Sequence, residues 1–117
     1  MTQKASDTAA IIRRQLKIKT GVAQRLWKEN RSYQKEEEDL TRKLDKFLAD
    51  AAEDWDIKNT RNMLEESRKL IADTSKRLGN AVQDLREYII GVERDSNLDT
   101  GDDELAKAKG VLEEVSV

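Results

Sequence analysis

The chain has 117 residues, a net charge of −2, 39% charged and 4% aromatic residues, and no proline, cysteine or histidine. The absent residues exclude thiolate and histidine catalysis, disulfides and the usual zinc sites, while the near-neutral charge and the lack of a long apolar run argue against polyanion binding and membrane insertion. This composition is typical of one small domain of amphipathic helices, and we expect a soluble intracellular protein.

The first helix is predicted over residues 7–50, after residues 1–5, which we expect to fray. Ser6 followed by Asp7 can cap its start. The stretch from Lys28 to Asp39 has a single apolar residue, so the middle of this helix should be its least stable part. Gly21 is interpreted as a tolerated or close-packed glycine rather than as a hinge. The predicted buried face consists of Ile11, Ile18, Val22, Leu26, Tyr33, Leu40, Leu44, Phe47 and Ala51.

A loop is predicted around Ala51 to Trp55, with Asp56 as the cap of a second helix over residues 57–95. Two interpretations of Trp55 are open. As a hydrophobic staple it packs over the start of this helix, which is the interpretation we favour, and as an exposed side chain it contacts a partner.

The second helix carries the clearest pattern of the chain. Its apolar residues recur every seven positions and are Ile57, Leu64, Ile71, Leu78, Leu85 and Val92, with Thr60, Ser67, Thr74, Ala81 and Tyr88 between them. This spacing keeps one face of an α-helix toward a partner helix. Met63 and Leu70 widen that face on one side, and Val82 and Ile89 widen it on the other, so we expect two neighbouring helices. The first half of the helix should meet mainly one of them, and the second half should meet both.

A short third helix is predicted over residues 102–115. Thr100 and Asp103 match a capping box at its start. The apolar stripe of this helix consists of Leu105, Ala108, Leu112 and Val115. Short connections place neighbouring helices antiparallel, so the sequence predicts an all-α, antiparallel up-down-up three-helix bundle formed as a single domain over residues 1–117.

Basic residues are concentrated in the first helix, where Glu29 is the one acid in a stretch that contains Arg13, Arg14, Lys17, Lys19, Arg25, Lys28 and Arg31. In an up-down-up bundle this stretch lies beside the acidic segment from Glu93 to Glu104. We therefore interpret it as internal neutralisation and expect no nucleic-acid binding. The acidic run from Glu36 to Asp39 is interpreted as a solvated face, because consecutive carboxylates cannot converge from one side of a helix to bind a metal.

The order of residues carries a further signal. Residues 14–22 read RQLKIKTGV, and Arg25-Leu26 and Lys28-Glu29 follow. Later matching positions are Tyr33, Lys35-Glu36, Asp56-Ile57-Lys58, the string LEESR at residues 64–68, Asp73, Arg77-Leu78, Ala81 and Asp84-Leu85. From about Arg14 to Val115 the chain resembles the tubulin-binding cofactor A family of tubulin-folding chaperones. Ala72 stands where similar members often carry proline, a residue that bends helices.

The resemblance implies a three-helix bundle that captures and stabilises β-tubulin monomer, or its folding intermediate, before the αβ heterodimer assembles. It implies that the protein works without catalysis, nucleotide or other cofactor. It also implies contact with other tubulin-folding cofactors and a cytoplasmic, cytoskeleton-associated location, as a monomer or weak homodimer. The residues alone leave a second function open, a helical scaffold or coiled-coil adaptor. An enzyme is not expected, because a thin helical core offers no obvious pocket.

If tubulin is the ligand, helix surfaces should bind it, because they present the most preorganised area. The candidate protein-binding residues are Lys17, Lys19, Arg25, Lys28 and Tyr33 on the first helix and Glu66, Ser67, Arg68, Asp73 and Arg77 on the second.

Overall fold

All regular secondary structure in the described part of the chain is helical. The computed structural model describes residues 2–116, with side chains from residue 7 onward. It contains α1 (Thr2–Ala49), α2 (Asp54–Arg94) and α3 (Asp103–Val115). The all-α prediction of two long helices and a shorter third is confirmed.

The start of α1 differs from the prediction. The helix begins at Thr2, so Ser6 lies inside it and is not its N-cap. The expected fraying of residues 1–5 falls in part on Met1, which lies outside the described residues, while Thr2 to Ala5 are helical.

The start of α2 also lies earlier than predicted. The carbonyl of Glu53 accepts a hydrogen bond from the N–H of Ile57 at 3.2 Å, which makes Glu53 the residue that precedes the helix. Asp56 is therefore not the N-cap, and it lies with Asp54 in the first turn, where carboxylates complement the helix dipole. Trp55 is the second helical residue and is 70% exposed, so the staple that we favoured is wrong.

In α3 the N-cap is Asp102 rather than Thr100. Asp102 Oδ1 accepts hydrogen bonds from the N–H groups of Glu104 at 3.0 Å and Leu105 at 3.3 Å. The buried stripe of this helix consists of Leu105, Ala108, Val111 and Val115. Val111 replaces the predicted Leu112, which is half-buried, because position 111 lies three residues after one buried side chain and four before the next.

The two long helices end in separate turns of the same type. The N–H of Ala52 donates to the carbonyl of Phe47 at 2.9 Å, and the N–H of Asn97 donates to the carbonyl of Val92 at 3.3 Å. Between these bonds, Ala51 and Ser96 each have a φ of 53°. These are Schellman-type ends formed without glycine, at the steric cost that a side chain incurs in the left-handed region.

The contacts divide the chain into two units. Unit 1 contains Met1–Leu26 and Arg77–Val117, and unit 2 contains Trp27–Lys76. In unit 1, Leu16 of α1, Leu85 of α2 and Leu105 of α3 are almost completely buried. Unit 2 contains parts of α1 and α2 alone.

Ion pairs and hydrogen bonds give the helix directions within each unit. In unit 1, Lys109 Nζ lies 2.9 Å from Glu93 Oε2, and Arg86 donates to Ser116 Oγ at 3.5 Å, so α2 and α3 are antiparallel there. In unit 2, Asn30 donates to Thr74 at 2.9 Å, and Glu37 lies 3.5 Å from Arg68. The residue number rises on α1 as it falls on α2, so these segments are also antiparallel.

The face of α2 predicted from the sevenfold repeat is turned inward along its whole length. The buried positions are Thr60, Leu64, Ser67, Thr74, Leu85 and Val92, and the half-buried positions are Ile57, Ile71, Leu78, Ala81 and Tyr88. Val82 and Ile89 are buried as well, whereas Met63 and Leu70 are 41% and 40% exposed. Met63 and Leu70 therefore do not widen the core, because unit 2 has no third helix to cover them.

The buried face of α1 is shifted from the prediction in its first half. Ile11 and Ile18 are exposed, as is Ala51 in the turn after α1, and Leu26 and Leu40 are buried as predicted. The remaining predicted positions, Val22, Tyr33, Leu44 and Phe47, are half-buried. The stripe instead includes Ile12, Leu16, Thr20, Ala23 and Asn30. Two of these positions hold polar residues, so the buried positions of α1 do not show as a regular three- and four-residue spacing of apolar residues in the sequence.

We predict that Leu85→Ala lowers the free energy of unfolding by about 2–5 kcal/mol, because the substitution leaves a cavity among three helices. Urea denaturation monitored by circular dichroism measures this change. Ile90→Ala, at an exposed position five residues further along α2, should change stability by ~0.5 kcal/mol or less. Equal losses in the two variants would contradict the packing of unit 1.

Candidate functional site

The candidate residues on α1 lie on both exposed and half-buried positions. Lys17, Arg25 and Lys28 are exposed, while Lys19 and Tyr33 are half-buried. Lys19 Nζ lies 2.8 Å from Asp84 Oδ2 and 5.3 Å from the centre of the Tyr88 ring. Lys19 is therefore held against α2 within unit 1, and its ammonium group is already partly neutralised.

One ion pair joins the basic stretch of α1 to the acidic segment as predicted. Arg13 Nε lies 2.8 Å from Asp102 Oδ2, and the Asp102 side chain is 8% exposed. The hydrogen bond from Arg13 holds the pKa of Asp102 below its usual value, with help from the N–H groups of Leu105 and Glu104, while burial opposes the shift. Asp102 thus joins the start of α3 to α1. Lys19 instead pairs with Asp84, which lies outside the predicted segment.

Of the candidate residues on α2, one is buried and the others are exposed. Ser67 is 2% exposed, so its hydroxyl does not lie on the surface that the sequence analysis assigned to it. Its Oγ has no hydrogen-bond partner among the described residues. Glu66, Arg68, Asp73 and Arg77 are exposed. Arg68 pairs with Glu37 of α1 across unit 2, and Glu66 Oε1 lies 3.4 Å from Lys69 Nζ.

A polar cluster that the sequence analysis missed lies inside unit 2. Asn30 is buried, and its Nδ2 group lies 3.1 Å from the carbonyl of Ile71 and 2.9 Å from the hydroxyls of Thr74 and Ser75. Gln34 Nε2 donates to Asn30 Oδ1 at 2.6 Å. These bonds form at one alignment of α1 and α2, so the cluster fixes the register of the two segments. Its signal in the sequence was an asparagine four residues after a buried leucine.

Exposed apolar side chains form a second feature of unit 2. Trp55, Met63 and Leu70 lie on one side of α2, and we call them the α2 strip. A groove of about 250 Å³ beside the strip is lined by Glu36, Asn62, Met63, Glu66, Ser67 and Leu70. A second groove, of about 180 Å³, is lined by Trp55, Lys58, Asn59 and Asn62. Asn62 borders both, so the strip and its grooves form one continuous surface.

Other kinds of site have no support in the described part of the chain. From residue 7 to residue 116, no group of three or more Asp or Glu side chains is placed to hold a metal ion. None of the described helices is long and apolar enough to cross a membrane. The exposed side chains of α1 and α2 in unit 2 offer a partner charged helix surfaces and an apolar strip.

Comparisons with known proteins agree with one another. The model of the family described as "Tubulin binding cofactor A" matches residues 12–112. The chain is 38% identical over 104 residues to tubulin-specific chaperone A of Gallus gallus, covering 89% of this chain and 93% of that protein. A crystal structure of tubulin folding cofactor A from Arabidopsis thaliana aligns with a TM-score of 0.81 and 34% identity, over 92% of this chain and 97% of that one. The human tubulin chaperone cofactor A structure aligns with a TM-score of 0.75 and 38% identity, over 91% and 99%.

We predict that Asp102→Ala lowers the free energy of unfolding by about 0.5–2 kcal/mol at pH 7, because it removes a helix cap together with the ion pair to Arg13. The pKa of Asp102 is lower in the folded chain than in the unfolded one. The contribution of ionised Asp102 to the free energy of unfolding is therefore complete above its pKa in the unfolded chain, about 4. It is lost as the pH falls through the pKa in the folded chain.

Urea unfolding of both proteins at a series of pH values measures this effect, and the difference between them should shrink in acid. Thr100→Ala is the matched control, since Thr100 is exposed and is not the cap. A loss in Thr100→Ala as large as that in Asp102→Ala, or a difference that grows in acid, would contradict the assignment.

Proposed function

The chain belongs to the tubulin-binding cofactor A family, and on that basis we propose that it captures and stabilises β-tubulin monomer, or a folding intermediate of it, before the αβ heterodimer assembles. The observation that carries this proposal is the match of nearly the whole chain to tubulin-specific chaperones. Chaperones and protein-folding cofactors are not classes of enzyme. We propose that the protein acts by binding its client, without catalysis, nucleotide or any other bound small molecule.

The proposed architecture is one domain, an antiparallel up-down-up bundle. Two observations support it. The α2 and α3 segments are antiparallel within unit 1, as are the α1 and α2 segments within unit 2. Both long helices also contribute residues to both units without a break in their hydrogen-bonded turns. Such helices present side chains to a client from a preorganised backbone, which lowers the entropy cost of binding.

The proposed electrostatic part of the contact uses the candidates with exposed charges. In unit 1 these are Lys17, Arg25 and Arg77, and in unit 2 they are Lys28, Glu66, Arg68 and Asp73. Lys19 and Tyr33 are half-buried and would contribute at the edges of the contact. Ser67 is withdrawn from this set, because its hydroxyl is buried.

The biological setting follows from the client. A protein that holds β-tubulin monomer would act in the cytoplasm as a monomer or weak homodimer, and would pass its client to other tubulin-folding cofactors. The family match supports this function over the alternative of a scaffold or coiled-coil adaptor, which would need no preference for a tubulin monomer over the assembled dimer.

We predict that Arg25→Glu, Lys28→Glu and Arg68→Glu, made singly, each weaken capture of β-tubulin monomer by about three- to tenfold, which corresponds to ~0.7–1.4 kcal/mol. These side chains are exposed, so the variants should keep their helicity. Arg25→Glu and Lys28→Glu should change stability by ~0.5 kcal/mol or less, and Arg68→Glu, which loses an exposed ion pair with Glu37, by ~1 kcal/mol or less. Native gels at low and at raised salt measure capture, and added salt should weaken it by screening exposed charges over ~8 Å at physiological ionic strength.

Arg61→Glu supplies the control, because Arg61 is an exposed base of α2 outside the candidate set. If the unaltered protein does not shift β-tubulin monomer, or shifts αβ dimers equally well, the chaperone proposal is wrong. If the unaltered protein binds and the three reversals bind as tightly as Arg61→Glu, only the assignment of these residues is wrong.

A further inference from the structure

The groove beside the α2 strip combines two kinds of chemistry. Met63 and Leu70 give it an apolar wall. Glu36 of α1 and Glu66 of α2 contribute carboxylates from two helices, and among the described residues its lining contains no basic side chain.

Each of these features is explained by a long basic side chain in the groove. The methylene groups of an arginine or lysine pack against apolar atoms, while the charged end seeks carboxylates. Glu36 forms no ion pair among the described residues, and Glu66 lies in an exposed pair with Lys69 that a partner cation can replace.

The rest of the strip indicates what presents that side chain. Trp55 and Leu70 are fifteen residues apart on α2, or ~22 Å at ~1.5 Å per residue. Trp55, Met63 and Leu70 fall within ~80° of one another around the helix axis, given 3.6 residues per turn. A ridge of this length and width matches one face of a partner helix of about four turns, whose apolar residues recur at three- and four-residue spacing.

We propose that the α2 strip binds an amphipathic helix of the client, with its apolar ridge on Trp55, Met63 and Leu70 and an arginine or lysine against Glu36 and Glu66. The inference rests on the proposed function for the identity of the client, β-tubulin. It adds the chemistry of the client segment, which is apolar and basic.

The test has a peptide arm and a tubulin arm. In the peptide arm, the probe is a tryptophan-free, alanine-based helix of about 20 residues, long enough to be helical, with a leucine ridge flanked by arginines. Its twin carries glutamates in place of the arginines. In a Trp27→Phe background, Trp55 is the one remaining tryptophan and is exposed, so its emission should shift to shorter wavelength when a bound peptide covers it.

The arginine peptide should bind at least about tenfold more tightly than the glutamate twin. Glu36→Gln combined with Glu66→Gln should remove this preference, and Met63→Ser combined with Leu70→Ser should abolish binding of both peptides. Two matched controls should behave like the parent. Glu38→Gln neutralises an exposed acid of the same run on another face of α1, and Ile90→Ser removes an exposed apolar residue of α2 in unit 1. Equal binding of the two peptides, or full binding by the Met63 and Leu70 double variant, would overturn the proposal.

In the tubulin arm, the same variants are titrated with β-tubulin monomer. Capture by the parent and by Ile90→Ser, with at least about a tenfold loss in the Met63 and Leu70 double variant, would support the inference. Equal capture by that double variant would overturn it and leave the proposed function standing. If the parent captures no β-tubulin, the proposed function is wrong, and the peptide arm still decides whether the groove accepts an apolar and basic helix.

Discussion

The packing of one continuous face of α2 holds this protein together. From Ile57 to Val92 the apolar residues recur every seven positions, and the structure turns the whole face inward. Side chains at the intermediate positions, such as Thr60 and Ser67, are small and let the helices approach closely while adding little apolar area. The core is therefore thin, and the outer faces of the long helices remain available to a partner.

The two units cover the flanks of this face differently. In unit 1 three helices meet, and Val82 and Ile89 are buried. In unit 2 two helices meet, and the apolar Met63 and Leu70 on the other flank remain exposed. The Asn30 cluster fixes the register of unit 2 with hydrogen bonds where unit 1 relies on apolar packing. An exposed apolar flank beside a fixed pair of helices is a suitable surface for holding a client.

Local periodicity made the seam of α2 and the sequence of three helices predictable, because a sevenfold repeat over 36 residues depends on the helix alone. The sequence left the exposure of Trp55 open. Met63 and Leu70 were assigned to the flank of the seam, although the first half of α2 was expected to meet mainly one neighbour. The sequence predicted Thr100 as the cap of α3, whereas the cap is Asp102, whose ion pair with Arg13 joins residues far apart in sequence. Ser67 was the avoidable error, because its place in the seam already implied burial.

Amide hydrogen exchange of the free chain and of the chain bound to β-tubulin monomer tests most directly whether the α2 strip of unit 2 contacts the client. Backbone exchange in a helix proceeds through local opening, which a bound partner suppresses where it contacts the helix. The account predicts that β-tubulin slows exchange most in residues 55–70 of α2 and in the facing part of α1 near Glu36. Slowing that is confined to α3, or no slowing in residues 55–70 of a chain that has bound β-tubulin, would contradict it.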